Sequence, residues 1–166
     1  MTENRTRKAQ AEAAAADLES LVQHWTAVFE SAGLESAELK PAPRKWSVKE
    51  ILGHLTDSAG NNLQRFVRSQ ELKNGEELVL PGYGADHWVD SQNYQSMEWT
   101  RAFRLWESAN LHVAHVMKQI PEEKLAAMTR IGSYEPANIL WLVTDYVDHQ
   151  KHHLKKIAEQ LGITQV

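Results

Sequence analysis

The sequence predicts an all-α protein built as a four-helix bundle, and three observations carry that prediction. Four long segments repeat apolar residues at the helical period, each giving one apolar face. Breaking and capping residues set these segments apart: Gly33, Ser47, Gly75, Pro136 and Gly162. Strand patterning is nearly absent, confined to a short stretch at 76–84. With 166 residues the chain suits one domain with a real core. Residues 1–8 are expected to be a flexible N-terminus and 9–166 a single helical domain.

The first helix begins near Ala9, and Leu18, Leu21, Val22, Trp25, Val28 and Phe29 form its apolar face. Gly33 stops it, and the stretch from Leu34 to Lys45, with Pro41 and Pro43, reads as a connector. Ser47-Val-Lys-Glu50 is a capping box that opens the second helix, with Trp46 placed to staple onto Ile51. Val48, Ile51, Leu52, Leu55, Ala59 and Phe66 share its stripe, and Gly75 is the expected stop. Residues 76–97 are the least regular, with a short extended arm at 77–84 and a helical turn or more within 85–94. An excursion of that length between long helices is usually functional or contact-forming, so His87 and Trp88 become candidates for a pocket mouth.

The third long helix runs from about Trp99 to Gln119 on Trp99, Ala102, Phe103, Trp106, Ala109, Val113, Val116 and Met117. His112 falls at the edge of that face, where an interface hydrogen bond is expected, and His115 on its back. Pro121 opens a short helix, and Met128–Glu135 reads as a connector containing Gly132. Pro136 is expected in the first turn of the fourth long helix, which ends at Gly162.

That fourth helix holds the densest chemistry. On a wheel of about 100° per residue with Gln150 at zero, Ile139, Val143, Val147, Leu154, Ile157 and Leu161 lie within about 60° of it. His149 and His153 fall at about −100° and −60°, together on one edge of this face. His152 falls at about −160°, toward solvent. Two imidazoles one turn apart can share a metal ion, although such a pair alone serves packing as readily. The second helix adds weight, because His54 lies on the edge of its stripe too. Ser58, Asn62 and Arg65 continue down that side, whereas Asp57 points away. Facing helices of a bundle build metal sites in this way. Three neutral imidazoles suit zinc, nickel, iron or copper, and the remaining coordination positions would be open to water or substrate.

Composition excludes several other classes. A net charge of −4 leaves no basic footprint for nucleic acid. Without cysteine there is neither a disulfide frame nor a thiolate nucleophile or ligand. No apolar run approaches a membrane span, and no signal-peptide core precedes the first helix, so a cytoplasmic location is expected.

Trp46-Ser-Val-Lys-Glu-Ile-Leu-Gly-His54-Leu-Thr-Asp57, followed much later by Asp148-His149-Gln-Lys-His-His153-Leu, resembles the DinB-like superfamily. The resemblance covers most of the chain. It implies an up-down-down-up four-helix bundle, commonly a homodimer, carrying a divalent metal (zinc, nickel or iron) on His54, His149 and His153. It also implies small-molecule chemistry, since characterised relatives include transferases and isomerases that use low-molecular-weight thiols. The expected function is therefore a metal-dependent enzyme activating a thiol or water, of the thiol S-transferase type. A hydrolase, or a metal-binding or dimeric interaction module without turnover, is the alternative. Ser58, Asn61, Asn62 and Arg65 are the candidate pocket residues beside the metal. Asp57, Asp145 and Asp148 are candidates to orient the histidines.

Overall fold

A computed structural model of the chain describes residues 6–73 and 75–163. Helix α1 (Arg7–Ser31) starts on Thr6, whose hydroxyl accepts from the Ala9 amide. Residues 1–5 of the expected flexible N-terminus lie outside the described residues. Arg7 and Lys8, however, belong to α1, and the Lys8 ammonium donates to the carbonyls of Lys118 and Ile120. The expected connector contains a short helix, α2 (Leu34–Glu38). Helix α3 (Val48–Arg68) has the predicted capping box: Ser47 Oγ accepts from the Glu50 amide, and the Glu50 carboxylate accepts from the Ser47 amide at 2.9 Å. It ends earlier than Gly75 would place it, passing into a 3-10 turn at Ser69–Glu71. Helices α4 (Ala85–Gln92), α5 (Trp99–Gln119) and α6 (Ile139–Leu161) follow. Gly162 closes α6 at φ +69°, the left-handed conformation that a helix stop needs.

Contacts at the helix ends define the topology. Trp99 Nε1 donates to the Phe29 carbonyl at 3.1 Å, joining the start of α5 to the end of α1, so these two are antiparallel. Ser47 Oγ meets Gln95 Oε1 at 2.6 Å, so α3 and α5 set out from the same end. Gln160 near the end of α6 donates to the Trp46 carbonyl at 3.2 Å, and Phe66 packs on Tyr146, which makes α6 antiparallel to α3. The order is up-down-down-up. Helices α1 and α3 each pack against both α5 and α6.

The apolar stripes meet as their periodicity requires. Leu18, Val22, Trp25, Phe29, Leu52, Leu55, Trp106, Val143 and Ile157 are buried in one core. Gln150, the centre of the α6 stripe, is buried with them, and its Oε1 accepts from Trp106 Nε1 at 3.1 Å. Beside it, Tyr146 donates to Asn110 Oδ1 at 2.6 Å. His112 makes no interface bond among the described residues; it is exposed and stacks on His115.

The bundle carries a small sheet of which only one strand was expected. Strand β1 (Glu77–Leu80) pairs in parallel with β2 (Met128–Ile131), which pairs antiparallel with β3 (Ala137–Asn138). The connector expected at 128–135 is thus partly strand. Pro136 precedes β3 instead of entering the fourth helix, whose cap is Asn138, its side chain accepting from the Trp141 amide. The sheet is tied to the end of α3 through Ser69 Oγ and Thr129 Oγ1, 2.8 Å apart and both buried. Among the described residues no helix is long and apolar enough to cross a membrane.

Candidate metal centre

Antiparallel packing of α3 on α6 brings the three edge histidines to one point. The Nε2 atoms of His54 and His149 stand 3.2 Å apart, and one ring nitrogen from each of His54, His149 and His153 lies within 4.8 Å of the others. A tetrahedral site with metal–nitrogen bonds of about 2.0 Å sets its nitrogens about 3.3 Å apart. One edge already has that length, and the others need close by at most about 1.5 Å. His152 is exposed and lies outside the cluster, as the wheel required.

The electrostatics keep the nitrogens available. Burial first, then nearby His149 and Lys156, lower the His54 pKa to about 4. His149 falls to about 4, first by burial, then through His152, Lys156 and Arg65. Burial first, then His149 and His54, take His153 to about 3. All three are neutral near pH 7, the state in which imidazole coordinates a cation. Nδ1 of His54 and Nδ1 of His153 are buried without a hydrogen-bond partner. For His54 this is the nitrogen opposite the one that meets His149.

A chain of polar side chains along α3 steadies His149. Ser58 Oγ lies 3.4 Å from His149 Nδ1, at the limit of hydrogen bonding, which leaves Nε2 facing the triad. Asn62 donates to the Ser58 carbonyl at 2.9 Å, and Arg65 donates to Asn62 Oδ1 at 3.1 Å. These three expected pocket residues therefore support one another. Asn61 turns aside and donates to the Asp57 carbonyl at 2.9 Å. His87 is exposed on α4, and Trp88 is 37% exposed and packs on Tyr83 with ring centroids 4.9 Å apart.

Asp57 departs from the expectation. Instead of pointing to solvent it is buried, covered by the end of α4 and the turn that follows: Oδ1 accepts from the Tyr94 hydroxyl at 2.7 Å and from Gln92 Nε2 at 2.6 Å. Burial raises its pKa, and those two hydrogen bonds oppose the rise. None of Asp57, Asp145 and Asp148 hydrogen-bonds a histidine among the described residues, so an orienting role for these carboxylates has no contact behind it. Tyr83 and Tyr94 were not singled out by periodicity, since both lie in the irregular excursion. Its Pro-Gly-Tyr-Gly run and aromatic content were the available signals.

The triad has an open side. A cavity of about 950 Å³ is lined by His153 and by Trp46, whose ring lies 5.0 Å from that of His54. Lys156 and Arg44 also line it. The arrangement can thus hold a metal at one end of a solvent-connected cleft, with protein ligands on one side only.

Comparison with known proteins agrees with this architecture. No curated protein matches the chain significantly. Among solved structures, YfiT from Bacillus subtilis is similar in fold, with a TM-score of 0.77 at 15% identity over 98% of this chain and 93% of its own. It is described as "a probable metal-dependent hydrolase with an unusual four-helix bundle topology". A model of the DinB superfamily matches residues 17–157, a span that includes His54, His149 and His153. The chain belongs to the DinB superfamily.

Proposed function

We propose that His54, His149 and His153 together hold one divalent transition metal, and that the protein is an enzyme using it to activate a small nucleophile. The observation that carries this reading is the convergence of three neutral imidazoles with a 3.2 Å nitrogen–nitrogen edge. When bound, such an ion supplies Lewis acidity that lowers the pKa of a water or thiol at its open position. The chain's own part is geometric. Burial keeps the imidazoles deprotonated, and Ser58, backed by Asn62 and Arg65, braces His149 at Nδ1 so that Nε2 faces the triad. The cleft beside His153 admits the second reactant. Water as the nucleophile, hence hydrolysis, is the reading supported by the description of YfiT. Transfer to a low-molecular-weight thiol uses the same activation.

Metal-to-protein stoichiometry of single alanine variants, each confirmed folded by circular dichroism, tests the assignment. The parent and His152→Ala should take up one equivalent of zinc or nickel, and His54→Ala, His149→Ala and His153→Ala should lose most of it. Loss by His152→Ala with retention by His54→Ala or His149→Ala would refute the ligand set. A screen of ester and amide hydrolysis beside thiol transfer, with metal-loaded and stripped protein, separates the two nucleophiles. Turnover that is independent of metal would refute the mechanism.

A further inference from the structure

A second cavity, of about 810 Å³, lies between the C-terminal half of α3, the first turns of α6 and the turn joining β2 to β3. That volume is in the range of small-molecule sites, roughly 300–1,000 Å³. Its walls are largely apolar, with Ile131, Pro136 and Leu142 inside and Trp141, 53% exposed, at the rim. Three charged groups interrupt them: Arg65, Asp145 and Glu135, the last exposed to solvent.

Arg65 is half-buried, and burial lowers its pKa. A desolvated guanidinium usually has a carboxylate on its fork. Here its one hydrogen bond among the described residues goes from Nη1 to the neutral Asn62 amide, and Asp145 acts on it only at longer range. Most of its five donors are therefore unused. The Asn62 bond fixes the side chain at the cavity wall, so it is preorganised for a planar anion, which takes such a fork in bidentate fashion. Asp145 limits the charge that fits, because a second negative charge on the ligand would lie in the field of its carboxylate.

We propose that this cavity binds a small amphipathic monoanion, with a carboxylate seated on Arg65 and an aromatic or aliphatic body against Trp141 and Leu142. The inference rests on the metal-enzyme reading only in identifying this ligand as the substrate. Arg65 leads through Asn62 and Ser58 to His149, so the occupied cavity and the triad share one polar chain along α3.

The test is calorimetric titration of the full chain with phenylacetate, 3-phenylpropionate and 4-phenylbutyrate, each against its neutral amide. Metal-stripped and metal-loaded protein are both titrated, with metal content measured on the same samples. At least one acid should bind stripped protein about tenfold tighter than its amide, which corresponds to about 1.4 kcal/mol. Arg65→Gln should remove that difference while leaving the amide's affinity unchanged, and Arg65→Lys should restore part of it. Trp141→Ala should weaken acid and amide alike. Equal affinity for acid and amide, or no acid binding at millimolar concentration, overturns the proposal. So does an acid preference that Arg65→Gln leaves intact, or tighter binding of a phosphate monoester dianion. Acid binding that requires metal and ignores Arg65 places the carboxylate on the metal and also overturns it. Because the decisive titrations use stripped protein, failure of the metal reading shows separately, in the stoichiometry.

Discussion

Replacing Gly53 with alanine should destabilise the protein, although it places a better helix former in the interior of α3. A Cβ at Gly53 would sit 2.1 Å from Cδ2 of Tyr94 and 2.2 Å from its Cγ, where ordinary contact begins at 3.4 Å. The ring would have to retreat by about 1.3 Å, and it is 3% exposed in a packed site. Retreat also stretches the 2.7 Å hydrogen bond from the Tyr94 hydroxyl to Asp57 beyond bonding range. Alanine gains about 1 kcal/mol over glycine in helix propensity. Overpacking costs about 1–3 kcal/mol, and a lost hydrogen bond to a carboxylate about 1.5–3 kcal/mol. The clash wins by about 1.5–5 kcal/mol. Urea unfolding reads the difference as a lower midpoint at unchanged slope. A control isolates the ring: in a Tyr94→Ala background, Gly53→Ala should be neutral or stabilising by up to about 1 kcal/mol. A Gly53→Ala midpoint equal to or above the parent's would refute the reasoning, as would an undiminished penalty in the Tyr94→Ala background.

Three further outcomes follow from the same structure. Metal-free protein should lose stability as the pH falls from about 6.5 toward 4. The unfolded imidazoles protonate first, and the folded ones resist down to about 4 for His54 and His149 and about 3 for His153. Thermal midpoints between about pH 7 and pH 5 should show this, with a shallower fall in His149→Ala; a flat profile would contradict it. Asn110→Ala should cost about 1–3 kcal/mol by leaving the buried Tyr146 hydroxyl without its acceptor, and Tyr146→Phe should add little in that background. Fully additive losses would show that the pair does not interact. We also propose self-association as a homodimer, supported by Leu105 and Leu111, 43% and 38% exposed on α5. Light scattering at micromolar concentration should give about twice 18.9 kDa, and a monomer mass would dismiss it.

The parts of the fold visible in the sequence are those set by local periodicity and capping. The four stripes, the Ser47 capping box and the edge positions of His54, His149 and His153 all follow from residues a few positions apart. The sheet does not. Residues 128–131 are too few to show a period, and their parallel partner lies at 77–80, so only long-range pairing makes them a strand. Pro136 carried a sound prior for a first helical turn, but Asn138 caps α6 and so moves its start to Ile139. Asp57 shows the limit of a wheel drawn for a single helix. Angle places it away from the bundle stripe, yet the segment carrying Gln92 and Tyr94 folds over that side and buries it. Of the six tryptophans, Trp25, Trp99 and Trp106 are core residues. Only Trp88 and Trp141 remain among the exposed large apolar side chains.

The two sides of the histidine triad are separated by 95 positions along the chain. During synthesis α3 is exposed long before α6 exists, so His54 alone offers a single weak ligand to any passing ion. The site comes into being only when the last long helix docks antiparallel on α3, in the same event that closes the core around Gln150. On the proposed ligand set, metal capture would be a readout of completed folding. An ion added to a refolding reaction should leave the early phases unchanged and act on the final docking step, slowing unfolding more than it speeds folding.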